Sequence, residues 1–260
     1  MLMCMRVRIP CYIYADLLFK KLVKVVSVHE CDCIALSGGI DTSVILLASL
    51  EAGLKPRGYT AMYSHGLPKD LMYVNYISKV FNIDVELVQV SNEAIEDLKN
   101  NVIECIGIDK VNSHKNGGCV EIRNDIVFYA TLKKAKDDGC RCVLVGSGGD
   151  ELFAGYSFML NLISEDLEET IRRLARGRYA ELEIAKCLGV KVVAPFLNDV
   201  IIELAEEIPV ECIRSEKMLG KEILREILNK KGLYLISERA KTPAESGAGT
   251  ITICKSIYDE

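Results

Sequence analysis

A junction between an apolar strand and an apolar helix carries residues whose types and spacing are those of an anion-binding loop. The strand is the short run 33–36, the helix is the run 43–50, and the residues at the junction are Leu36, Ser37, Gly38, Gly39, Ile40, Asp41, Thr42 and Ser43. Adjacent glycines let backbone N–H groups approach a ligand, and a helix start adds unpaired donors and partial positive charge. Such a loop binds phosphate. Because Asp41 would repel a bare phosphate, the loop predicts a divalent cation bound together with a polyphosphate.

A second junction of the same kind lies later in the chain. The apolar run 142–145 leads into Gly146, Ser147, Gly148, Gly149, Asp150 and Glu151. In doubly wound sheets, ligands bind beyond the carboxyl ends of the strands, where the strand order reverses. If the two strands are neighbours, Asp41 and Asp150 face one crevice and could share a magnesium ion that also contacts phosphate. The alternative is two plain turns with acids in the first turn of each helix, which the presence of two matching loops disfavours.

Strand and helix patterns alternate around these loops. Further strands are predicted over 58–63 and 85–90, and helices over 14–28, 69–81, 120–135, 165–176, 179–188, 199–207 and 217–228. Strands alternating with helices at this spacing predict an α/β fold, a doubly wound parallel sheet with helices on both faces. The strand pattern fades from about residue 157, so the remainder is predicted to be mainly helical.

Three parts of the chain follow from this pattern. They are an N-terminal helical segment, 1–30, the parallel α/β core, 31–156, and a mainly helical C-terminal part, 157–260. The tail 242–250 is rich in Gly, Ala and Ser. It is therefore predicted to be a mobile loop next to Lys241.

The two loops resemble known family motifs. The first is similar to the S-G-G-x-D-[ST] pyrophosphate loop (PP-loop) of the ATP pyrophosphatases, and the run 146–156 resembles the G-[ES]-G-[AGS]-D-E-[LV]-F-x-G-Y signature of the synthetase domain of asparagine synthetase. Four further segments agree in the same order: Gly66-Leu67-Pro68, the run VAPFLN at 193–198, the run KEILR at 221–225, and Arg239-Ala240-Lys241. The resemblance extends from about residue 31 to residue 249. Motifs in the right order are more specific than either loop alone.

This resemblance implies an adenine nucleotide α-hydrolase fold of the PP-loop type and a two-step reaction. A substrate carboxylate, for which aspartate is one candidate, attacks ATP to give an acyl-adenylate and pyrophosphate, and ammonia or another amine then displaces AMP. The implied metal ligands for Mg²⁺ are Asp41 and Asp150, and the implied catalytic residues are these two and Lys241. The implied ATP-binding residues are Leu36, Ser37, Gly38, Gly39, Asp41, Thr42, Ser43, Gly146, Ser147 and Arg123. For Arg123, an ordinary surface arginine is an equal alternative.

Two departures from the family pattern concern the amine. The full-length enzymes carry an N-terminal glutaminase domain that begins Met-Cys, whereas this chain begins Met-Leu-Met-Cys and has 260 residues. We therefore expect no glutamine hydrolysis by this chain, and ammonia that is free or delivered by a separate glutaminase subunit. Ser147 stands where the family commonly has a glutamate linked to amine transfer, and serine is a poor general base.

Composition narrows the function classes. There are 32 Lys and Arg against 37 Asp and Glu, a net charge of −5, which makes nucleic acid an unexpected partner. No apolar run is long enough to span a membrane and no signal peptide is evident, so a cytoplasmic protein is predicted. A homo-oligomer is left open. Two alternatives also remain, another PP-loop ATP pyrophosphatase that modifies tRNA, and a nucleotide-binding partner subunit without transfer activity.

Eleven cysteines are many for a cytoplasmic protein. We expect them to be mostly reduced and packed as small hydrophobic residues. Because there is no C-x-x-C motif and the three histidines are scattered, no zinc site is expected. Two C-x-C pairs, Cys31/Cys33 and Cys140/Cys142, open predicted strands, where alternation would place each pair on one face. If the strands are neighbours, a disulfide between them is the alternative.

Overall fold

The computed structural model of the chain describes residues 9–112, 118–214 and 219–256. Its centre is a parallel sheet of five strands: β1 (Cys33–Ala35), β2 (Arg57–Tyr63), β3 (Val85–Val90), β4 (Val143–Leu144) and β5 (Val192–Val193). The strand order is β3-β2-β1-β4-β5, and all pairings are parallel. The order reverses between β1 and β4, so the two glycine loops leave the sheet side by side. The predicted fold class, a doubly wound parallel α/β sheet, is confirmed.

Helices cover both faces of this sheet. In chain order they are α1 (Cys11–His29), α2 (Ile40–Glu51), α3 (Leu71–Phe81), α4 (Ile95–Ile106), α5 (Ile108–Asn112), α6 (Cys119–Asp137), α7 (Gly149–Leu152), α8 (Ser164–Ala175), α9 (Ala180–Leu188), α10 (Asp199–Glu207), α11 (Val210–Ile213), α12 (Glu222–Lys230), α13 (Tyr234–Ser237) and α14 (Ala244–Ala248). Short 3₁₀ turns lie at Ser157–Asn161, Pro195–Leu197 and Thr250–Ser256.

The apolar core forms two layers, one on each face of the sheet. Successive residues of a strand point to opposite faces, so Ile34 packs with α1, α2 and α12 while Cys33 packs with α4, α6 and α9. Helix α2 is apolar on nearly all sides and is buried along most of its length, as expected for a helix enclosed by its neighbours. This enclosure fixes the helix start that carries Asp41.

Two parts of the predicted secondary structure differ from the observed one. The C-terminal part contributes β5 to the edge of the sheet, where no strand was predicted, because two residues are too short to show an alternating pattern. The helix predicted over 217–228 begins at Glu222 instead, and residues 217 and 218 lie outside the described ranges. Residues 1–8 of the predicted N-terminal segment also lie outside them.

The prediction of a loop throughout 242–250 was wrong. This segment contains α14 and packs against α6 and β2, and Glu245, Gly247, Ala248 and Thr250 are buried. The small residues serve close contact here: a Cβ on Gly247 would overlap the carboxylate of Asp70, and a Cβ on Gly249 would lie 2.9 Å from the amide nitrogen of Leu67.

The expectation of mostly reduced cysteines was also wrong. The structure describes the disulfides Cys11–Cys212, Cys31–Cys142, Cys33–Cys140 and Cys105–Cys187. The second and third form because β1 and β4 are neighbours, which brings the Cα atoms to 4.6 and 6.0 Å, within the usual range for a disulfide.

The prediction that the two members of each C-x-C pair share one face of the sheet was wrong. Cys31 and Cys142 pack in the same core layer as Ile34, whereas Cys33 and Cys140 pack in the opposite layer. Strand β1 begins only at Cys33, so strand alternation does not extend back to Cys31. One disulfide therefore lies on each side of the sheet.

None of the helices in the described ranges is both long and apolar enough to cross a membrane.

Candidate functional site

The first glycine loop joins β1 to α2 as predicted. Gly38 has φ +64°, and a Cβ there would lie 2.8 Å from the Cβ of Tyr73, so only glycine suits this position. The hydroxyl oxygen of Ser37 accepts a hydrogen bond from the amide of Gly39 at 3.2 Å and lies 3.2 Å from the hydroxyl of Thr42. These contacts hold the start of α2 open towards the crevice.

The second glycine loop joins β4 to α7 and contacts the first loop directly. A Cβ on Gly146 would lie 3.0 Å from Thr42, and a Cβ on Gly149 would overlap the carboxylate of Asp41. The absent side chains therefore allow the two loops to touch. As a result Asp41 and Asp150, which are 109 positions apart in sequence, face the same crevice as predicted.

A lysine that the sequence reasoning did not assign lies between these two acids. The Nζ atom of Lys221 is 2.5 Å from Oδ2 of Asp41 and 2.7 Å from Oδ1 of Asp150. Lys221 is 4% exposed and occupies the residue before α12 with φ +55°, a conformation that side chains rarely adopt. Strain of this kind persists where the surroundings determine it and is concentrated at functional sites.

Lys241 supplies a second ammonium from the segment before α14. Its Nζ donates to Oδ2 of Asp150 and lies 5.3 Å above the ring of Tyr156. Burial raises the pKa of Asp150, but Lys221 and Lys241 outweigh burial and lower this pKa to about 2. Burial also raises the pKa of Asp41, with Lys221 opposing it only in part. Lys221 itself has a raised pKa, because the two carboxylates outweigh its own burial.

The acids at this crevice fit a magnesium ion that is held jointly with phosphate. Oδ1 of Asp41 is buried and has no hydrogen-bond partner among the described residues, and an unsatisfied carboxylate oxygen is a ready ligand for a cation. No group of three or more His, Cys, Asp or Glu side chains suited to a metal lies within the described ranges. One or two carboxylates completed by phosphate oxygens and water is the usual arrangement for Mg²⁺.

Arg239 anchors the first loop from the other side. Its guanidinium donates to the carboxylate of Asp70, donates to the backbone oxygen of Ser37 at 3.0 Å, and lies 4.1 Å from the centre of the Tyr73 ring. Arg239 and Asp70 are each 5% exposed. A buried, doubly held arginine of this kind orients the loop backbone.

A different set of acids, Glu151 and Glu181, also lines the crevice. The hydroxyl of Ser147 donates to Oε1 of Glu181, which lies in the first turn of α9. The hydroxyl of Tyr156 donates to Oε1 of Glu151. Burial raises the pKa of both glutamates. Neither glutamate has a lysine or arginine partner in the part of the chain that the structure describes.

One cavity of about 530 Å³ joins the two sets of acids. From the predicted site residues it is lined by Leu36, Ser37, Gly39, Asp41, Thr42, Gly146, Ser147, Asp150 and Lys241. Side chains that were not predicted and also line it include Lys221, Arg239, Glu151, Glu181 and Tyr156. A volume of this size is typical of a small-molecule site.

Three predicted site residues do not line the cavity. Gly38 packs against Tyr73, and Ser43 is buried within α2. The Nη1 atom of Arg123 donates to the backbone oxygen of Ile251 at 2.8 Å, and its Nε lies 2.8 Å from Glu245. Arg123 therefore ties α6 to the C-terminal segment, which corresponds to neither of its two sequence interpretations.

Lys221 and Arg239 had a sequence signal that was not used. Both lie inside segments that resemble the family motifs, at 221–225 and 239–241. Glu181 had no such signal, because an acid in the first turn of a helix is ordinary.

The profile of the asparagine synthase family matches residues 32–187. The chain belongs to the asparagine synthase family. A putative glutamine-hydrolysing asparagine synthetase 1 of Methanocaldococcus jannaschii is 30% identical over 195 residues, which covers 70% of this chain and 34% of that protein. Asparagine synthetase B (glutamine-hydrolysing) of Escherichia coli is 30% identical over 135 residues, which covers 49% of this chain and 24% of that protein. The match thus spans about a third and about a quarter of the length of these two family members.

Among solved structures, an NMN synthetase from Francisella tularensis aligns with 94% of this chain and 93% of its own, at 13% identity and a TM-score of 0.39.

Proposed function

We propose that this chain is an ATP-dependent carbon–nitrogen ligase of asparagine synthetase type. It activates a small carboxylate as an acyl-adenylate with release of pyrophosphate, and the acyl group then passes to ammonia or another amine. The ammonia is free or comes from a separate glutaminase subunit. The observation that supports this most strongly is the convergence of Asp41, Asp150, Lys221 and Lys241 between two glycine loops.

The residues of the crevice match the needs of the first step. Negative charge on the departing pyrophosphate must be neutralised, and preorganised donors do this most effectively. The free N–H groups at the start of α2 face this region, and Lys221 and Lys241 provide two cations. Asp41 and Asp150 would hold Mg²⁺, which when bound neutralises charge on the phosphates.

Lys241 has the position of a residue that contacts the reacting phosphate. It lies on a segment without regular structure, close to Asp150 and within the lining of the cavity. Its flexible stem would let the ammonium follow the charge that develops during adenylate formation. Lys221 is buried and fixed, so its role would be to hold the two carboxylates and the pyrophosphate side of the crevice in place.

The test is ATP–pyrophosphate exchange, screened over carboxylic acids from aspartate onwards with MgCl₂ present. We expect exchange with at least one acid. In Asp41→Ala and Asp150→Ala the exchange should fall by roughly 1,000-fold, because a bound divalent cation is worth several kcal/mol and each 1.36 kcal/mol is tenfold in rate. Asp16→Ala, which removes an exposed partner of Lys230, is the matched control.

Each other outcome contradicts a particular part of the proposal. Exchange that survives both substitutions contradicts the metal assignment. ATP binding without exchange for any acid favours a nucleotide-binding partner subunit instead. Specific tRNA that purifies with the protein and stimulates AMP release favours a tRNA-modifying enzyme.

A further inference from the structure

The cavity contains two glutamates that the activation step does not use. Both line the cavity, Glu151 directly after Asp150 and Glu181 in the first turn of α9. Neither is one of the two carboxylates proposed to hold the cation, so the activation step leaves them without a role. Their side-chain hydrogen-bond donors within the described ranges are the hydroxyl groups of Ser147 and Tyr156. A hydroxyl group donates a hydrogen bond to a carboxylate oxygen but does not neutralise the negative charge of the carboxylate.

The two glutamates differ in what surrounds them. Glu151 is bonded to Tyr156, whose ring lies 5.3 Å from the ammonium of Lys241. Glu151 therefore supports the position of Tyr156 beneath that lysine. Glu181 accepts a hydrogen bond from Ser147, the residue between Gly146 and Gly148 in the second loop. Its carboxylate thus lies at the edge of the loop that ends in Asp150.

Ser147 occupies the position where the family motif commonly carries a glutamate. The hydrogen bond to Glu181 places a carboxylate next to that position from another element, the first turn of α9. We propose that Glu181 is the general base of the amine-transfer step, which rests on the proposed ligase function. The second loop has no carboxylate at position 147, and Glu181 of α9 provides one beside it.

The step balances without any further reagent. The amine nitrogen attacks the acyl carbon of the adenylate, so a C–N bond forms and the C–O bond to phosphate breaks. The electron pair of that bond leaves with AMP. The extra proton on nitrogen passes to the carboxylate of Glu181, which releases it to solvent afterwards. Burial raises the pKa of Glu181 and thereby strengthens it as a base.

The experiment compares Glu181→Gln with a matched control on the same helix. Gln keeps the size of the side chain and still accepts a hydrogen bond from Ser147. The control is Glu183→Gln, because Glu183 points to Arg178 and Lys110 and does not line the cavity. The acid that supports exchange in the wild type is used as substrate, with ammonium chloride and hydroxylamine as amine probes.

We expect Glu181→Gln to keep ATP–pyrophosphate exchange within about twofold while amide formation falls roughly 100-fold or more, the usual contribution of a general base. Glu183→Gln should retain both activities. Equal losses of exchange and amide formation would show a structural role for Glu181 and overturn the proposal. Unchanged amide formation would also overturn it. Absence of exchange in the wild type would contradict the ligase function itself, so the two failures are distinguishable.

A swap of the bonded pair provides an independent test. Glu181→Ser removes the carboxylate, and Ser147→Glu combined with Glu181→Ser returns it on the other side of the same contact. We expect the double variant to form amide at least tenfold faster than Glu181→Ser, because a base is restored within reach of the amine. A double variant that exchanges normally but transfers no better than Glu181→Ser would overturn the assignment.

Discussion

The acids on the two sides of the cavity have different partners. On the side that we propose binds the nucleotide, here called the nucleotide side, Asp41 and Asp150 are paired with Lys221, and Asp150 also with Lys241. On the side that we propose receives the amine, Glu151 and Glu181 accept hydrogen bonds from hydroxyl groups. Neither pairs with a lysine or arginine within the described ranges. Lys221 and Lys241 outweigh burial and lower the pKa of Asp150 to about 2, whereas burial raises the pKa of Asp41 and of each glutamate.

This difference corresponds to the charges of the two proposed ligands. Polyphosphate is anionic, so its side of the cavity needs cations and acids that stay ionised to hold a metal. An amine is a proton source once it has attacked, so its side needs a carboxylate with appreciable basicity. The lowered pKa of Asp150 and the raised pKa of Glu181 in one cavity are consistent with different roles for these two carboxylates.

The largest effect is expected when the cation between the paired acids is removed. Lys221→Met leaves two carboxylates facing each other with little solvent, because their side chains are 18% exposed. Breaking a buried pair in this way costs about 3–5 kcal/mol of unfolding free energy. Denaturant titration of the wild type and the variant measures it.

Lys230→Met provides the control for that substitution, since Lys230 is exposed and pairs with Asp16. A surface pair contributes only about 0–1 kcal/mol. MgCl₂ should raise the stability of Lys221→Met more than that of the wild type, because the ion replaces the missing ammonium. Equal losses in the two lysine variants would contradict the electrostatic account.

A smaller effect is expected at Lys241, the more accessible lysine of the nucleotide side. In Lys241→Ala we expect ATP–pyrophosphate exchange to slow about 100-fold, equivalent to roughly 2.7 kcal/mol, because a cation near the developing charge is lost. ATP affinity, measured by calorimetry, should stay within about threefold. An affinity that fell in parallel with the rate would assign Lys241 to ground-state binding instead.

The smallest effect concerns Asp125, a third acid near Glu181. Burial and the neighbouring Glu181 raise the pKa of Asp125 to about 7, and Asp125 is 5% exposed. In the unfolded chain this carboxyl loses its proton near its ordinary value of 3.8. Its protonated form therefore contributes stability at acid pH, and that contribution is lost as the pH rises through about 7.

Asp125→Asn, which is neutral throughout, should therefore gain stability relative to the wild type between pH 5 and pH 8. The expected gain is about 2 kcal/mol in unfolding free energy. Denaturant titrations at the two pH values measure it, with the exposed Glu203→Gln as control. A constant difference between Asp125→Asn and the wild type would show that Asp125 is ionised throughout this range.

The sequence predicted those features that depend on local patterns. The strand, glycine turn and helix around Gly38 are encoded within a dozen residues, and the same pattern before Asp150 fixed the partner loop. Adjacency of β1 and β4 was an assumption that the sheet order confirmed. The roles of Asp41, Asp150 and Lys241 in catalysis stay predictions, although the structure brings these three together.

The features that were missed depend on distant parts of the chain. Lys221 contacts Asp41, which is 180 positions away in sequence. Lys221 precedes α12 and has a left-handed backbone conformation. Glu181 meets Ser147 across 34 positions. For the tail, composition gave the wrong answer because small residues serve close packing as well as mobility.

The longest disulfide has a consequence for the integrity of the chain. Cys11 and Cys212 are 201 positions apart, so their bond closes most of the protein into a ring. A single proteolytic cut anywhere in that ring opens it and releases no fragment. On a denaturing gel the cut protein therefore migrates as one species until a reductant is added. Both glycine loops lie inside the ring, whereas Lys221 and Lys241 lie on the short arm beyond it. A nick between the loops would therefore leave the nucleotide side of the cavity covalently connected.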